Sequence, residues 1–243
     1  MRTAAHLFRR IGILPAAAVV LLASCDGGGS SYFPLEAGWE FGYRAELHTE
    51  GTAPETLRFT AANLPRRKLG DIEATPQLHQ DGRILFYAAD AEGVRLVGFQ
   101  KQGEDAVTDS PDQYILKYPL EAGTKWRAAS RTVLLTERFL YSKALPIKIG
   151  IDLDYVIEKT DDDVRVPAGH FFNCVKVTAT GQTTVNTGDN QRTLNVIVEQ
   201  SDWYAPGVGL VKSARMESAG EERAGNARLV SELEYAKKPS WFE

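Results

Sequence analysis

An all-β fold is what this sequence predicts: an antiparallel meander of roughly ten or more strands, forming a curved sheet, half-open barrel or sandwich with little helix. Three observations carry that expectation. Apolar residues recur with period two, turn chemistry returns at short intervals, and helical periodicity is nearly absent. Taken in chain order, strand-like runs fall at Trp39 to His48, Leu57 to Ala61, Ile84 to Ala88, Val94 to Phe99, Gln113 to Tyr118 and Arg131 to Glu137. Ile151, Leu153, Tyr155 and Ile157 then alternate with Asp152, Asp154, Val156 and Glu158, so one row points to a core and a mostly charged row to water. Phe171 to Thr180, Leu194 to Val198 and Gly209 to Ala214 repeat the pattern. Turns are expected at Asp81-Gly82, Ala91-Glu92-Gly93, Asp161-Asp162-Asp163 and Thr187-Gly188-Asp189-Asn190, which makes neighbouring strands antiparallel hairpins.

One segment is ambiguous. Met216 to Lys237 is rich in Ala, Glu and Arg, and Leu229, Val230 and Leu233 fit helical spacing. Gly220 and Gly225 oppose a helix, and Leu229 to Tyr235 alternates equally well, so a hairpin with its loop near Gly220 to Asn226 is favoured. No Pro/Ser-rich linker divides residues 32–236, which reads as a single β-rich domain followed by a tail at 237–243. An echo, Pro34-Leu35-Glu36-Ala37-Gly38-Trp39 and Pro119-Leu120-Glu121-Ala122-Gly123-Thr124-Lys125-Trp126, reads as a reused turn in which tryptophan opens the next strand as a core anchor.

Composition excludes several classes. Of 243 residues, 43% are hydrophobic and 25% charged, ordinary values for a globular chain. Lys+Arg number 28 against 32 Asp+Glu, an acidic balance that argues against nucleic acid as a partner. Two cysteines cannot build a disulfide scaffold.

The N-terminus is the most informative stretch. Arg2, Arg9 and Arg10 precede an apolar run from Ile11 to Ala23, broken only by Gly12 and Pro15. That run covers roughly 20 Å as a helix, short of the roughly 30 Å a spanning segment must cross. It fits a secretory signal peptide over 1–24. Leu22-Ala23-Ser24-Cys25 resembles the lipobox of bacterial lipoproteins. The resemblance implies that Cys25 receives a diacylglyceryl group, becomes the first mature residue and gains a further acyl chain, enough for stable anchoring. Asp26 resembles the residue that holds enteric lipoproteins in the inner membrane; other lineages read this position differently, so it leans towards the inner membrane and leaves inner versus outer open. Gly27-Gly28-Gly29-Ser30-Ser31 completes a lipidated tether over 25–31 with a root-mean-square span of only about 12 Å. The expected address is the periplasmic side of a bacterial envelope membrane, facing a lipid or an envelope protein.

Two further stretches carry a likeness. Val166-Pro167-Ala168-Gly169-His170-Phe171-Phe172-Asn173-Cys174 and Trp203-Tyr204-Ala205-Pro206-Gly207-Val208-Gly209-Leu210-Val211 resemble segments of uncharacterised bacterial lipoproteins and periplasmic β-domain proteins. The resemblance implies an antiparallel β-domain and brings no catalytic residue, cofactor or established ligand.

Candidate chemistry is sparse. Trp203 and Tyr204 are either the rim of an apolar pocket or a core corner, the corner being favoured. Cys174, among Phe171, Phe172, Val175 and Val177, reads as a buried thiol. His48, His79 and His170 show no metal-ligand spacing, so no metal site is expected. Asp152 and Asp154 read as a water-facing row, not an acid–base pair. Arg66-Arg67-Lys68 reads as a solvated turn. No nucleophile elbow, phosphate loop or dinucleotide fingerprint is present. The expected function is therefore a non-catalytic lipoprotein that binds an apolar ligand or envelope partner. A ligand carrier needs an inner cavity of about 300 Å³ or more. The alternatives are a structural lipoprotein without a pocket, or a hydrolase using His170 with a neighbouring Asp.

Overall fold

The computed structural model describes residues 32–108, 113–134, 149–187, 192–219 and 226–238. The signal peptide, the lipobox Leu22 to Cys25, Asp26 and the Gly/Ser tether lie outside the described residues. Fourteen strands follow one another: β1 (Glu40–Thr49), β2 (Glu55–Asn63), β3 (Arg67–Leu69), β4 (Ile72–His79), β5 (Ile84–Asp90), β6 (Gly93–Gln100), β7 (Val107–Thr108), β8 (Tyr114–Lys117), β9 (Lys125–Arg131), β10 (Gly150–Val166), β11 (Gly169–Thr187), β12 (Arg192–Ala205), β13 (Gly209–Ser218) and β14 (Asn226–Lys237). They form one antiparallel sheet in the order β7-β6-β5-β4-β2-β1-β14-β13-β12-β11-β10-β9, with β3 on β4 and β8 on β6. No α-helix occurs among the described residues.

The sheet is curved and is not closed into a barrel. Its two ends nevertheless share a core, because Val94 of β6 and Leu116 of β8 pack with Trp126 of β9, Ile157 of β10 and Val177 of β11. Trp126 Nε1 donates to the Tyr114 carbonyl at 2.9 Å, so β8 and β9 meet through side chains. Phe86, Leu116, Leu153, Ile157 and Leu233 are fully buried, and each such side chain contributes about 1.5–3 kcal/mol by leaving water.

Met216 to Lys237 is a hairpin, with Lys212 opposite Glu232 and Ser218 opposite Asn226. Leu233 and Ala227 enter cores that a lone surface helix could not reach. The echoed motif makes the same turn twice. Gly38 and Gly123 have φ of 87° and 94°, the left-handed region that favours glycine, and Trp39 and Trp126 follow as buried anchors.

Three expectations are corrected. The triple aspartate Asp161-Asp162-Asp163 is not a hairpin tip, since β10 runs on to Val166 and the chain reverses at Pro167-Ala168. Bulges let the aspartates lie within the strand, and Asp162 accepts from Trp203 Nε1 at 2.9 Å. Arg67-Lys68 are not a solvated turn but part of β3, held down by buried Leu69, while Arg67 lies 4.8 Å over the Phe86 ring. Of the described part of the run from Arg131 to Glu137, only Arg131 lies in a strand. The strand ends at Arg131, because the amides of Val133 and Leu134 turn instead to the Glu217 carboxylate; residues 135–137 lie outside the described residues.

Candidate ligand-binding cavity

Period-two alternation puts Val196, Val198, Gln200, Asp202 and Tyr204 of β12 on one face of the sheet, the more buried one. Across from them Tyr43 and Phe59, stacked 5.1 Å apart, and Tyr87 come in from β1, β2 and β5. Between these walls lies a half-open cavity of about 270 Å³ lined by Phe33, Phe41, Tyr43, Phe59, Tyr87 and Tyr204, with Ser213 and Ser231 as a polar patch. Tyr43 donates its hydroxyl to the Leu210 carbonyl at 3.0 Å, and burial pushes the phenols of Tyr43, Tyr87 and Tyr204 up. These rings are neutral lining groups.

The mouth is shaped by the segment Tyr32–Gly38, which lies across the strands as a strap. Phe33 sits between Tyr87 and Tyr204, at ring distances of 5.1 and 6.4 Å. Buried polar side chains pin the backbone beside it. Asn63 Nδ2 donates to the carbonyls of Pro34 and Glu36, Thr75 Oγ1 donates to that of Leu35, and Gln77 Nε2 donates to Asn63 Oδ1. These contacts satisfy backbone oxygens that would otherwise be buried unpaired.

The two aromatic candidates part company. Tyr204 lines the cavity, whereas neighbouring Trp203 faces the opposite side, with Lys176 and Lys212 5.4 and 5.9 Å from its ring. Cys174 is fully buried, and burial first, then Asp162 and Asp163, push its thiol up to about 11, away from nucleophilic use. The histidines are apart: His48 lies near Glu46, His170 is 4.0 Å from Asp163 beside the β10–β11 turn, and His79 is on the cavity wall. Burial, then Arg83, lowers the pKa of His79 and keeps its imidazole neutral at pH 7. No three metal-ligating side chains converge among the described residues. Asp152 and Asp154 are exposed on the outer face, where an open polar trough of about 750 Å³ crosses β9 to β12. Arg127 clamps Asp154 with two contacts of 2.7 Å and holds its carboxyl below the usual range. That trough is larger than the aromatic cavity, but it is an open strand surface on which Arg127 and Asp154 already pair.

Beside the cavity, continuing the row of Ser213, lies a largely buried polar strip that alternation alone did not reveal. Gln200 Nε2 donates to Asp202 Oδ2 at 2.6 Å, Arg215 donates to Gln200 Oε1 at 2.8 Å and to Glu217 Oε1 at 2.7 Å. Asp202 is buried and its Oδ1 has no hydrogen-bond partner. Burial raises its pKa, against the opposing pull of Ser213, Gln200 and Arg215. A carboxyl whose folded-state pKa is raised holds its proton more tightly when folded, so its contribution to stability falls as pH rises through that range and stays low above it. Asp202→Asn should therefore gain on the wild type as pH rises from about 4. Urea unfolding midpoints taken from pH 3 to pH 8 check this, and a constant gap between the two proteins would contradict it.

No family model matches the sequence, and no curated protein does. Among solved structures the chain is similar to a protein described as a lipoprotein from Parabacteroides distasonis ATCC 8503, at 13% identity and TM-score 0.42, covering 85% of this chain and 98% of that one. It is also similar to an exported protein with a YmcC-like fold from Bacteroides fragilis NCTC 9343, at 14% identity and TM-score 0.36, with the same coverage. A LolA superfamily protein from Nitrosomonas europaea aligns at 7% identity and TM-score 0.24, over 89% of this chain and 93% of that one. All three are likenesses of outline.

Proposed function

We propose that the protein is a bacterial lipoprotein, held by acylated Cys25 on the periplasmic side of an envelope membrane, that binds a small apolar ligand without chemistry. The observation that carries the binding is the aromatic cavity of about 270 Å³ beneath the Tyr32–Gly38 strap. The address is supported by the order basic start, short apolar run, Leu22-Ala23-Ser24-Cys25 and Gly/Ser tether. Asp26 supports the inner membrane. The cavity is somewhat smaller than the about 300 Å³ a ligand carrier needs, which counts against a carrier, excludes a two-chain lipid and leaves room only for one short apolar chain or a small ring system. The polar patch of Ser213 and Ser231 suits a ligand with one hydrogen-bonding end. A catalytic role has less support, since the His170–Asp163 pair lies outside this cavity and the Arg127–Asp154 pair is exposed.

The test is native mass spectrometry of the full chain, extracted in mild detergent, combined with binding of an uncharged naphthylamine dye. A retained small apolar mass, displaced by the dye, is the expected result. Ala61 is buried in the cavity wall, so Ala61→Phe should fill the space and abolish dye binding, at an overpacking cost of about 1–3 kcal/mol. Undiminished dye binding by a folded Ala61→Phe variant would remove this cavity as the site.

A further inference from the structure

The strap that borders the cavity also fixes which end of the domain lies nearest in sequence to Cys25. Tyr32, the first described residue, donates its hydroxyl to the Asn173 carbonyl at 3.0 Å. Seven residue steps separate Cys25 from Tyr32, and a fully extended chain covers at most about 3.6 Å per residue. Whatever the tether's conformation, Tyr32 then lies within about 25 Å of the lipidated sulfur.

Next to this contact stands Phe172, 54% exposed, its ring 4.0 Å from that of His170. The neighbouring Asn173 has φ of 54°, a left-handed conformation rare outside glycine. That kink lets Phe171 and Cys174, three positions apart, share one core, while Phe172 between them stays in solvent. The same end gathers other features. Ala168 of the β10–β11 turn and Val208 of the β12–β13 turn pack on one core, and Ala168 N donates to the Leu233 carbonyl near the end of β14. Lys237 and Lys238 close that strand, with Lys238 5.7 Å from the Trp39 ring. Exposed aromatic and lysine side chains together suit the headgroup layer of a bilayer.

We propose that this end, led by Phe172, rests on the membrane that holds Cys25, with the Phe172 ring in the lipid interface. The inference builds on the lipoprotein reading, and the occupant is the bilayer itself. An orientation of this kind places the strap and the cavity it frames next to the lipid surface.

The experiment uses the full lipidated chain in phosphatidylcholine vesicles, with and without bromine on the acyl chains. Phe172→Trp adds one indole at the proposed contact. Ile197→Trp adds one at an exposed position seven residues along β12 from Tyr204, roughly 23 Å towards the opposite end. The expected result is that both variants float with vesicles and that brominated lipid removes most of the emission added at 172 and none of that added at 197. Flotation with unquenched emission at 172 overturns this proposal and leaves the anchor intact. A blue-shifted but unquenched indole assigns the face to a second copy of the chain and overturns it likewise. Failure of both variants to float overturns the anchor at Cys25 and this orientation with it.

Discussion

Replacing Glu217 by alanine is expected to destabilise the domain by about 3–5 kcal/mol, because it strands a buried guanidinium. Glu217 is fully buried, and its two oxygens accept from the amides of Val133 at 3.0 and 3.2 Å and Leu134 at 3.0 Å as well as from Arg215 Nε at 2.7 Å. Alanine takes the carboxylate from Arg215, whose other acceptors among the described residues include the neutral Gln200 oxygen and the Arg131 carbonyl. It also removes the acceptor of two backbone donors, each costly when buried and unpaired. Glu217→Gln keeps an oxygen for the amides and should lose less. Urea unfolding of the two variants and the wild type reads the ranking directly. An alanine variant within about 1 kcal/mol of wild type would show that water or a shifted chain satisfies these groups, against the role given to Glu217.

The second large effect is on location. Cys25→Ala removes the thiol that a diacylglyceryl transfer requires, so the chain should leave the mature membrane-bound pool and appear as soluble protein or uncleaved precursor. Two or three acyl chains anchor firmly, since each buried CH₂ contributes about 0.8 kcal/mol, and no helix among the described residues is long and apolar enough to cross a membrane. Fractionation with mass determination of the N-terminus decides the matter. A correctly cleaved alanine variant that still partitions fully to the membrane would end the claim of lipid attachment at this residue.

The strand content was legible because a strand's period is two and turns have their own residues. Asp81-Gly82 and Ala91-Glu92-Gly93 reverse the chain as read, with Asp90 Oδ1 accepting from the amides of Glu92 and Gly93. Where the reading failed, a distant group had intervened. The triple aspartate has the composition of a turn, yet Asp162 is held in β10 by the indole of Trp203, 41 residues on. Thr132 to Leu134 carry strand-like residues, yet Glu217, more than 80 positions away, takes the amides of Val133 and Leu134. Arg67 and Lys68 look like a solvated turn until Leu69 is seen to be buried against Phe86 and Val97.

The cavity was legible only as one tyrosine. Tyr204 was a candidate by its aromatic character, but Trp203 beside it shared that character and faces away. Phe33, Tyr43, Phe59 and Tyr87 come from four separate segments, and nothing local marks them as neighbours. Asp202 and Glu217 sit in ordinary alternating strands, where a carboxylate on the inward row looks like a simple interruption.

What the sequence by itself determined is the local. An apolar run of a given length followed by a cysteine is read one residue after another, and alternation is a property of neighbours two positions apart. The curvature of the sheet, the meeting of β8 with β9, the aromatic cavity, the paired buried charges and the contact of Tyr32 with the Asn173 backbone beside Phe172 were decided only by tertiary structure. Each depends on which strands lie side by side and how far the sheet bends, and these are set by burial of the whole apolar surface rather than by any single segment.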